Sequence, residues 1–421
     1  MQNEHIAITG VGIVSPLGIG FREFWNNLSQ GKSGIKPISL FDTSDLTVKV
    51  GGEISDFNPK MILGDKNLMD LDRATLLLLS AAKLALEDAK YEVTPANTMR
   101  TGVSIGTTFG SLHSISKFDR ESLTEGPQYV NPSIFPSTVG NSPASRISIR
   151  FQIKGFNSTI STGSCAQSDA FDYARDSMRL NRADTIVTGS VEDLSLQTFL
   201  GFYKLGYLSG SKGGGHPLSC PFDAMRNGIV FSEGAVVFIL QNAKKAPKKQ
   251  IYAEISGIGS SFDVARFYTY NPKAAGMIKA MKAALADAHL KPQDIDCIFA
   301  NANSTKDGDA IETKAIKEVF GRHSRRIPVT ATKSMLGESL SASAGFSVAA
   351  ALGAFRYGVI PPTINYLEQD PDCDLDCVPN LGRKKAISHA MINAFGFNGT
   401  NTSIILSKQK DAIWNQLLSN R

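Results

Sequence analysis

Apolar residues along this chain switch between two periods. Ile6 to Ile8 read as a short buried strand, and Gly10-Val11-Gly12 as a tight turn after it. Arg73 to Lys90 carries leucines and alanines at helical spacing and predicts an amphipathic helix. A strand at Thr101 to Ile105 follows, closed by the small-residue turn Gly106-Thr107-Thr108. Gly155 to Ile160 has strand character and runs into Ser-Thr-Gly-Ser-Cys-Ala-Gln at 161–167, and Ala166 to Leu180 is helix-compatible. This alternation predicts an α/β protein. Lys282 to Ala288, Lys-Ala-Ala-Leu-Ala-Asp-Ala, echoes Lys83 to Ala89, Lys-Leu-Ala-Leu-Glu-Asp-Ala. Each copy leads to a strand and a small-residue turn, the second at Asn301-Ala302-Asn303, which points to two related halves. The basic segment Lys244-Lys245-Ala246-Pro247-Lys248-Lys249 divides them and reads as a solvated connector. Gly213-Gly214-Gly215 reads as a surface loop, and the polar tail after Ser407 as peripheral.

Composition narrows the class. A chain of 421 residues, 42% hydrophobic and 20% charged, buries large cores and excludes wholesale disorder. A net charge of +5 permits an acidic partner without calling for nucleic acid. The Gly10-Val11-Gly12 spacing is half of a dinucleotide fingerprint, but neither the third glycine nor the acidic residue is in register, so no nucleotide site is expected. The five cysteines, 165, 220, 297, 373 and 377, show no disulfide-framework spacing, and no second pair completes a zinc pattern with Cys373 and Cys377. A cytoplasmic protein without metal, bound cofactor or signal peptide is expected, its apolar runs too short to span a membrane.

Cys165 is the candidate nucleophile. The pattern places it at a strand-to-helix turn, where unpaired backbone N–H groups and the helix dipole favour thiolate. The competing reading is a buried structural cysteine.

Five strings in order bear on that choice. They are Thr-Gly-Ser-Cys-Ala around Cys165; Pro221 to Gly228 with Glu233-Gly234-Ala235; Asn301 to Thr305 with Gly308-Asp309 and Glu312; Thr332 to Glu338; and Asn393 to Asn401. Together they resemble the β-ketoacyl-acyl carrier protein synthases, the elongating ketosynthases of fatty acid and polyketide assembly, over residues 4 to 408. The resemblance implies a thiolase-type fold of two similar halves in a five-layered αβαβα arrangement. Residues 1–250 would carry Cys165, and residues 251–421 would carry Asn303, Glu338 and Phe397. It implies dimers, either homodimers or heterodimers with a ketosynthase-like subunit. It also implies an acidic acyl carrier protein that delivers thioesters on a phosphopantetheine arm, with no membrane span and no nucleic acid. Lys60, Lys66 and Arg73 lie in the segment that resembles the carrier-docking region.

Residue by residue, Cys165 matches the cysteine that takes the acyl group. Phe397 matches the aromatic gate, and its N–H with that of Cys165 matches the oxyanion hole. Lys333 matches the lysine beside the second histidine, with Asp309 or Glu312 as expected partners. Phe395 and Thr305 fall among the expected substrate-binding residues, and Asp223 and Arg226 fit a structural ion pair.

The sequence departs from the family at both histidines that promote malonyl decarboxylation and stabilise the enolate. Asn303 and Glu338 stand there, and the six histidines, 5, 113, 216, 289, 323 and 389, all lie outside those motifs. Asn303 can still donate a hydrogen bond, but it cannot exchange a proton near neutral pH. Glu338 offers acceptors when ionised, becomes a donor when protonated, and otherwise pairs with Lys333 or acts as a base toward a substrate hydroxyl, an amine or Cys165 itself. The expected function is acyl transfer from a carrier onto Cys165, with impaired or altered decarboxylative condensation. The alternatives are a non-catalytic chain-length-factor-like partner of an active ketosynthase, and an ordinary β-ketoacyl synthase.

Overall fold

The computed structural model describes residues 5–409 apart from 70, 214–215, 248–250, 265 and 267. Part of the glycine loop, part of the basic connector and the tail after 409 therefore lie outside the described residues, as does the expected division at 250.

Two five-strand arrays with one topology form the centre. The first comprises β1 (Ile6–Ser15), β2 (Thr101–Gly106), β3 (Asn157–Ile160), β4 (Thr185–Glu192) and β5 (Gly234–Asn242). The second comprises β6 (Ala253–Phe262), β7 (Cys297–Phe299), β8 (Val329–Thr330), β9 (His389–Phe395) and β10 (Thr400–Ser407). The strand order is β8-β7-β9-β10-β6-β1-β5-β4-β2-β3, which is symmetric about the β6–β1 junction. At that junction only Ala7 and Ile8 pair with Glu254 and Ala253.

Six helices set the layers: α1 (Arg73–Asp88), α2 (Ala166–Arg179), α3 (Leu196–Lys204), α4 (Ala275–Asp287), α5 (Lys306–Phe320) and α6 (Ser341–Tyr357). α1 packs on β1, β4 and β5, and α4 packs on β6 and β10. Between the arrays lie α2 and α6, which touch each other and reach strands of both. The result is the thiolase-type αβαβα arrangement. α6 is apolar or small on every side, and the structure buries nearly its whole length, as such a helix requires.

The echo between the halves has a physical cause, which also corrects the turn expected at Gly10-Val11-Gly12. Both glycines lie inside β1. A Cβ on Gly10 would sit 2.5 Å from the Ala85 carbonyl oxygen, and one on Gly12 would sit 2.0 Å from that of Ala81. Glycine is needed there so that α1 can lie against the strand, and Asp88 of α1 then accepts the Val11 N–H at 2.9 Å. The second half repeats the device. Cβ atoms on Gly257 and Gly259 would each sit 2.3 Å from the carbonyls of Ala284 and Ala280, and Asp287 accepts the Ile258 N–H at 2.9 Å.

Candidate functional site

Gly163–Cys165 form a 3₁₀ turn between β3 and α2, and Cys165 occupies the position before the first residue of α2. Gly163 holds φ +70, a left-handed conformation that glycine adopts without strain. The expected strand-to-helix placement is met, but its electrostatic consequence is not. Cys165 is fully buried, and its thiol donates to the Ala394 carbonyl at 3.1 Å. Burial first, and then the negative charge of Asp169, push the thiol up to about 12. Loss of water outweighs the helix dipole here, so the resting group is a thiol rather than the expected thiolate.

Gly163 and Ser164, the two residues before Cys165, line a pocket of about 340 Å³ whose wall also includes Phe202, Tyr268, Leu340 and Phe397. Phe397 stands among Phe202, Tyr207 and Tyr268, with ring centroids 5.5 to 5.7 Å away. Leu340 holds φ +44, a left-handed backbone that a branched side chain rarely adopts, and it does so at the pocket wall. Phe395 does not reach this pocket; it is buried in the core of the second half.

The residues at the two expected histidine positions fall into one buried network. Asn303 donates from Nδ2 to the Tyr270 hydroxyl at 3.2 Å, and its Oδ1 accepts the Thr305 hydroxyl at 2.7 Å. Thr305 thus holds Asn303 from the N-terminus of α5. Glu338 pairs with Lys333 at 2.8 Å, both side chains no more than 4% exposed. Its other oxygen accepts the Leu340 N–H at 2.9 Å and the Ser343 hydroxyl at 2.8 Å. Lys333 also donates to Asn301 Oδ1 at 2.9 Å. Burial, then the charge on Glu338, hold the Tyr270 phenol neutral, far above its ordinary range.

The network connects back to the nucleophile. Glu312 accepts the N–H groups of Asn301 and Ala302 and the amide of Asn393, next to Ala394. Ser343, which holds Glu338, precedes Ala344, which packs on Cys165 and Ala394.

Several expected partners change. Lys333 bonds Glu338 and Asn301, not Asp309 or Glu312. The Asp309 carboxyl faces Arg226 at 3.7 Å and accepts the N–H groups of Phe222 and Asn303. Burial pushes it up to about 7. Arg226 is a structural ion-pair residue, but its carboxylate partners are Asp309 and Asp370, while Asp223 accepts the backbone of Met225, Leu367 and Glu368. Arg73 is half-buried and grips the fully buried Glu233 at 2.6 Å. His389 starts β9 and bonds Ser407, away from the site.

Tyr270, Asn301 and Ser343 were missed as site residues. Asn301 lay within a string already singled out. Tyr270 and Ser343 carry no sequence signal, because only the tertiary fold brings them to Asn303 and Glu338.

Known proteins resemble this chain in sequence and in fold. The family descriptions "Beta-ketoacyl synthase, N-terminal domain" and "Beta-ketoacyl synthase, C-terminal domain" match residues 3–246 and 252–367. A 3-oxoacyl-[acyl-carrier-protein] synthase 2 of Coxiella burnetii is 35% identical over 98% of this chain and 100% of its own length. Among solved structures, the ishigamide ketosynthase/chain length factor superposes with TM-score 0.89 at 30% identity, over 96% of this chain and 99% of that one. A type II polyketide synthase ketosynthase, solved with its acyl-carrier protein and bound to the hexaketide, gives TM-score 0.87 at 29% identity, over 97% of this chain and 100% of that one. No described helix is long and apolar enough to cross a membrane.

Proposed function

This chain belongs to the β-ketoacyl synthase family, and we propose that it accepts an acyl group from a carrier protein onto Cys165 while its decarboxylative step is weakened. The observation that carries the reading is the contrast around the pocket. Gly163 and Ser164, the residues leading into Cys165, share a pocket with Phe397, whereas Glu338 is committed to Lys333, Leu340 and Ser343. A developing enolate needs donors aimed at it. The carboxylate of Glu338 supplies only acceptors, and two of the three Lys333 ammonium N–H groups already go to Glu338 and Asn301. Phosphopantetheine would bring the thioester to the pocket, and the Cys165 and Phe397 N–H groups would polarise its carbonyl. No resident cofactor enters this scheme.

A second reading is favoured by the same loss of histidines and by the likeness to a ketosynthase/chain length factor structure. In it the chain is the partner of an active ketosynthase. Leu123, Tyr129, Phe135 and Ile149 are exposed apolar side chains that a second subunit would cover, in either a homodimer or a heterodimer. Intact-protein mass spectrometry after incubation with acyl-carrier thioester separates the readings. The acyltransfer reading predicts one acyl adduct on wild type and none on Cys165→Ala. Equal labelling of both, or of neither, contradicts it, and labelling of neither favours the partner reading.

A further inference from the structure

Asp169 stands one helical turn beyond Cys165 on α2, so the two side chains leave the same face of the helix. Among the described residues it has no ion-pair partner. Instead it accepts two hydroxyls, from Thr162 on one oxygen and from Thr402 at 2.7 Å on the other. Thr402 lies in β10 directly across the ladder from Ala394, whose carbonyl holds the Cys165 thiol. The hydroxyls of Thr400 and Thr402 and the Thr402 N–H bear on the sulfur and favour its anion. Burial raises the Asp169 carboxyl, so sulfur and carboxylate share an environment that disfavours two negative charges and suits one proton between them. The other charged group bearing on this helix face is Asp172, which pairs with Arg175.

We propose that Thr402 and Asp169 form the proton relay of Cys165, in place of a histidine base. The S–H swings from the Ala394 carbonyl to the Thr402 oxygen. As sulfur attacks the thioester carbonyl, its proton passes to Thr402 and the Thr402 proton passes to Asp169. The carbon–sulfur bond to Cys165 forms, the bond to the carrier arm breaks, and the departing thiolate is neutralised by the proton that Asp169 gives back. One acyl group and one proton change places, and no oxidant or reductant is needed. In this relay Thr402 would take the proton from sulfur, and Asp169 would act through it.

The proposal rests on the reading that Cys165 carries an acyl group, and its test keeps the two apart. Single-turnover acylation by a soluble acyl-N-acetylcysteamine thioester is followed by mass spectrometry for wild type, Asp169→Asn, Thr402→Val, Thr402→Ser and the Asp169→Asn/Thr402→Val double variant. Thiolate is read in parallel by ultraviolet absorbance. General-base assistance of this kind accelerates on the order of 100-fold. Asp169→Asn should slow acylation by about that factor while leaving thioester affinity unchanged, and it should increase the Cys165 thiolate fraction by removing a like charge. Thr402→Val should match it, the double variant should add no further loss, and Thr402→Ser should recover the rate even if Thr402→Val fails to fold. A rate in Asp169→Asn equal to or faster than wild type overturns the relay, because the carboxylate would then only oppose the thiolate. Losses that multiply in the double variant overturn it as well. A wild type that forms no adduct would instead overturn the acyl-carrying reading.

Discussion

The two sides of the site treat their polar groups differently. On the acyl side, the Cys165 thiol donates to one backbone carbonyl, and the two residues before it line a pocket. On the condensation side, Asn303 is held by Tyr270 and Thr305, and Glu338 takes three donors from the protein itself. The difference teaches that the nucleophile and the decarboxylating groups are separable. In the proposed reading, a carboxylate at the position expected for an imidazole forms a buried ion pair with Lys333. That pair is costly to break, because either partner left alone would be an uncompensated buried charge.

The comparison sharpens first at the sulfur. With its thiol pushed up to about 12, Cys165 holds little thiolate at neutral pH, and each unit of pH below that value raises the thiolate tenfold. Alkylation by iodoacetamide should therefore climb about 1000-fold from pH 7 to pH 10. A plateau near pH 8 to 9, the behaviour of an ordinary thiol, would break this side of the contrast.

The other side breaks with Asn303→His combined with Glu338→His. Malonyl-carrier decarboxylation should rise by about 100-fold, the worth of a restored donor. The same change strands Lys333, so the melting temperature should drop together with the gain in rate. Unchanged stability would mean that the Lys333–Glu338 pair carries no weight.

Arg73→Ala should cost about 3–5 kcal/mol in chemical denaturation, because Glu233 is left buried without its counter-charge. The smallest effect is at the surface. Reversing Lys60 and Lys66, which are exposed, should weaken carrier binding only a few-fold and only at low salt, since single surface pairs contribute roughly 0–1 kcal/mol. Unchanged salt dependence would place carrier docking elsewhere.

Much of this was legible in the sequence, for identifiable reasons. The echo at Lys83 and Lys282 marked two halves because its alanines and aspartates meet the glycine-bearing first strand of each array. Those glycines were misread as a turn, because the neighbour that demands them, α1, lies some 70 residues away. Cys165, Asn303, Lys333, Glu338 and Phe397 were visible in their strings. Their partners were not: Tyr270 reaches Asn303 across 33 residues and Thr402 reaches Asp169 across 233, distances at which sequence spacing carries no contact information. The Cys165 thiol was expected too low, because a helix terminus can be read from sequence and full burial cannot.

One ratio, taken in one sample, separates the two steps most directly: the rate of acyl adduct formation on Cys165 from an acyl-carrier thioester against the rate of malonyl-to-acetyl conversion on the same carrier. The structure predicts that wild type acylates readily and decarboxylates at least about 100-fold more slowly than the Asn303→His/Glu338→His variant. Wild-type decarboxylation equal to that of the double variant, at rates matching its own acylation, would contradict it and return the chain to the ordinary β-ketoacyl synthases.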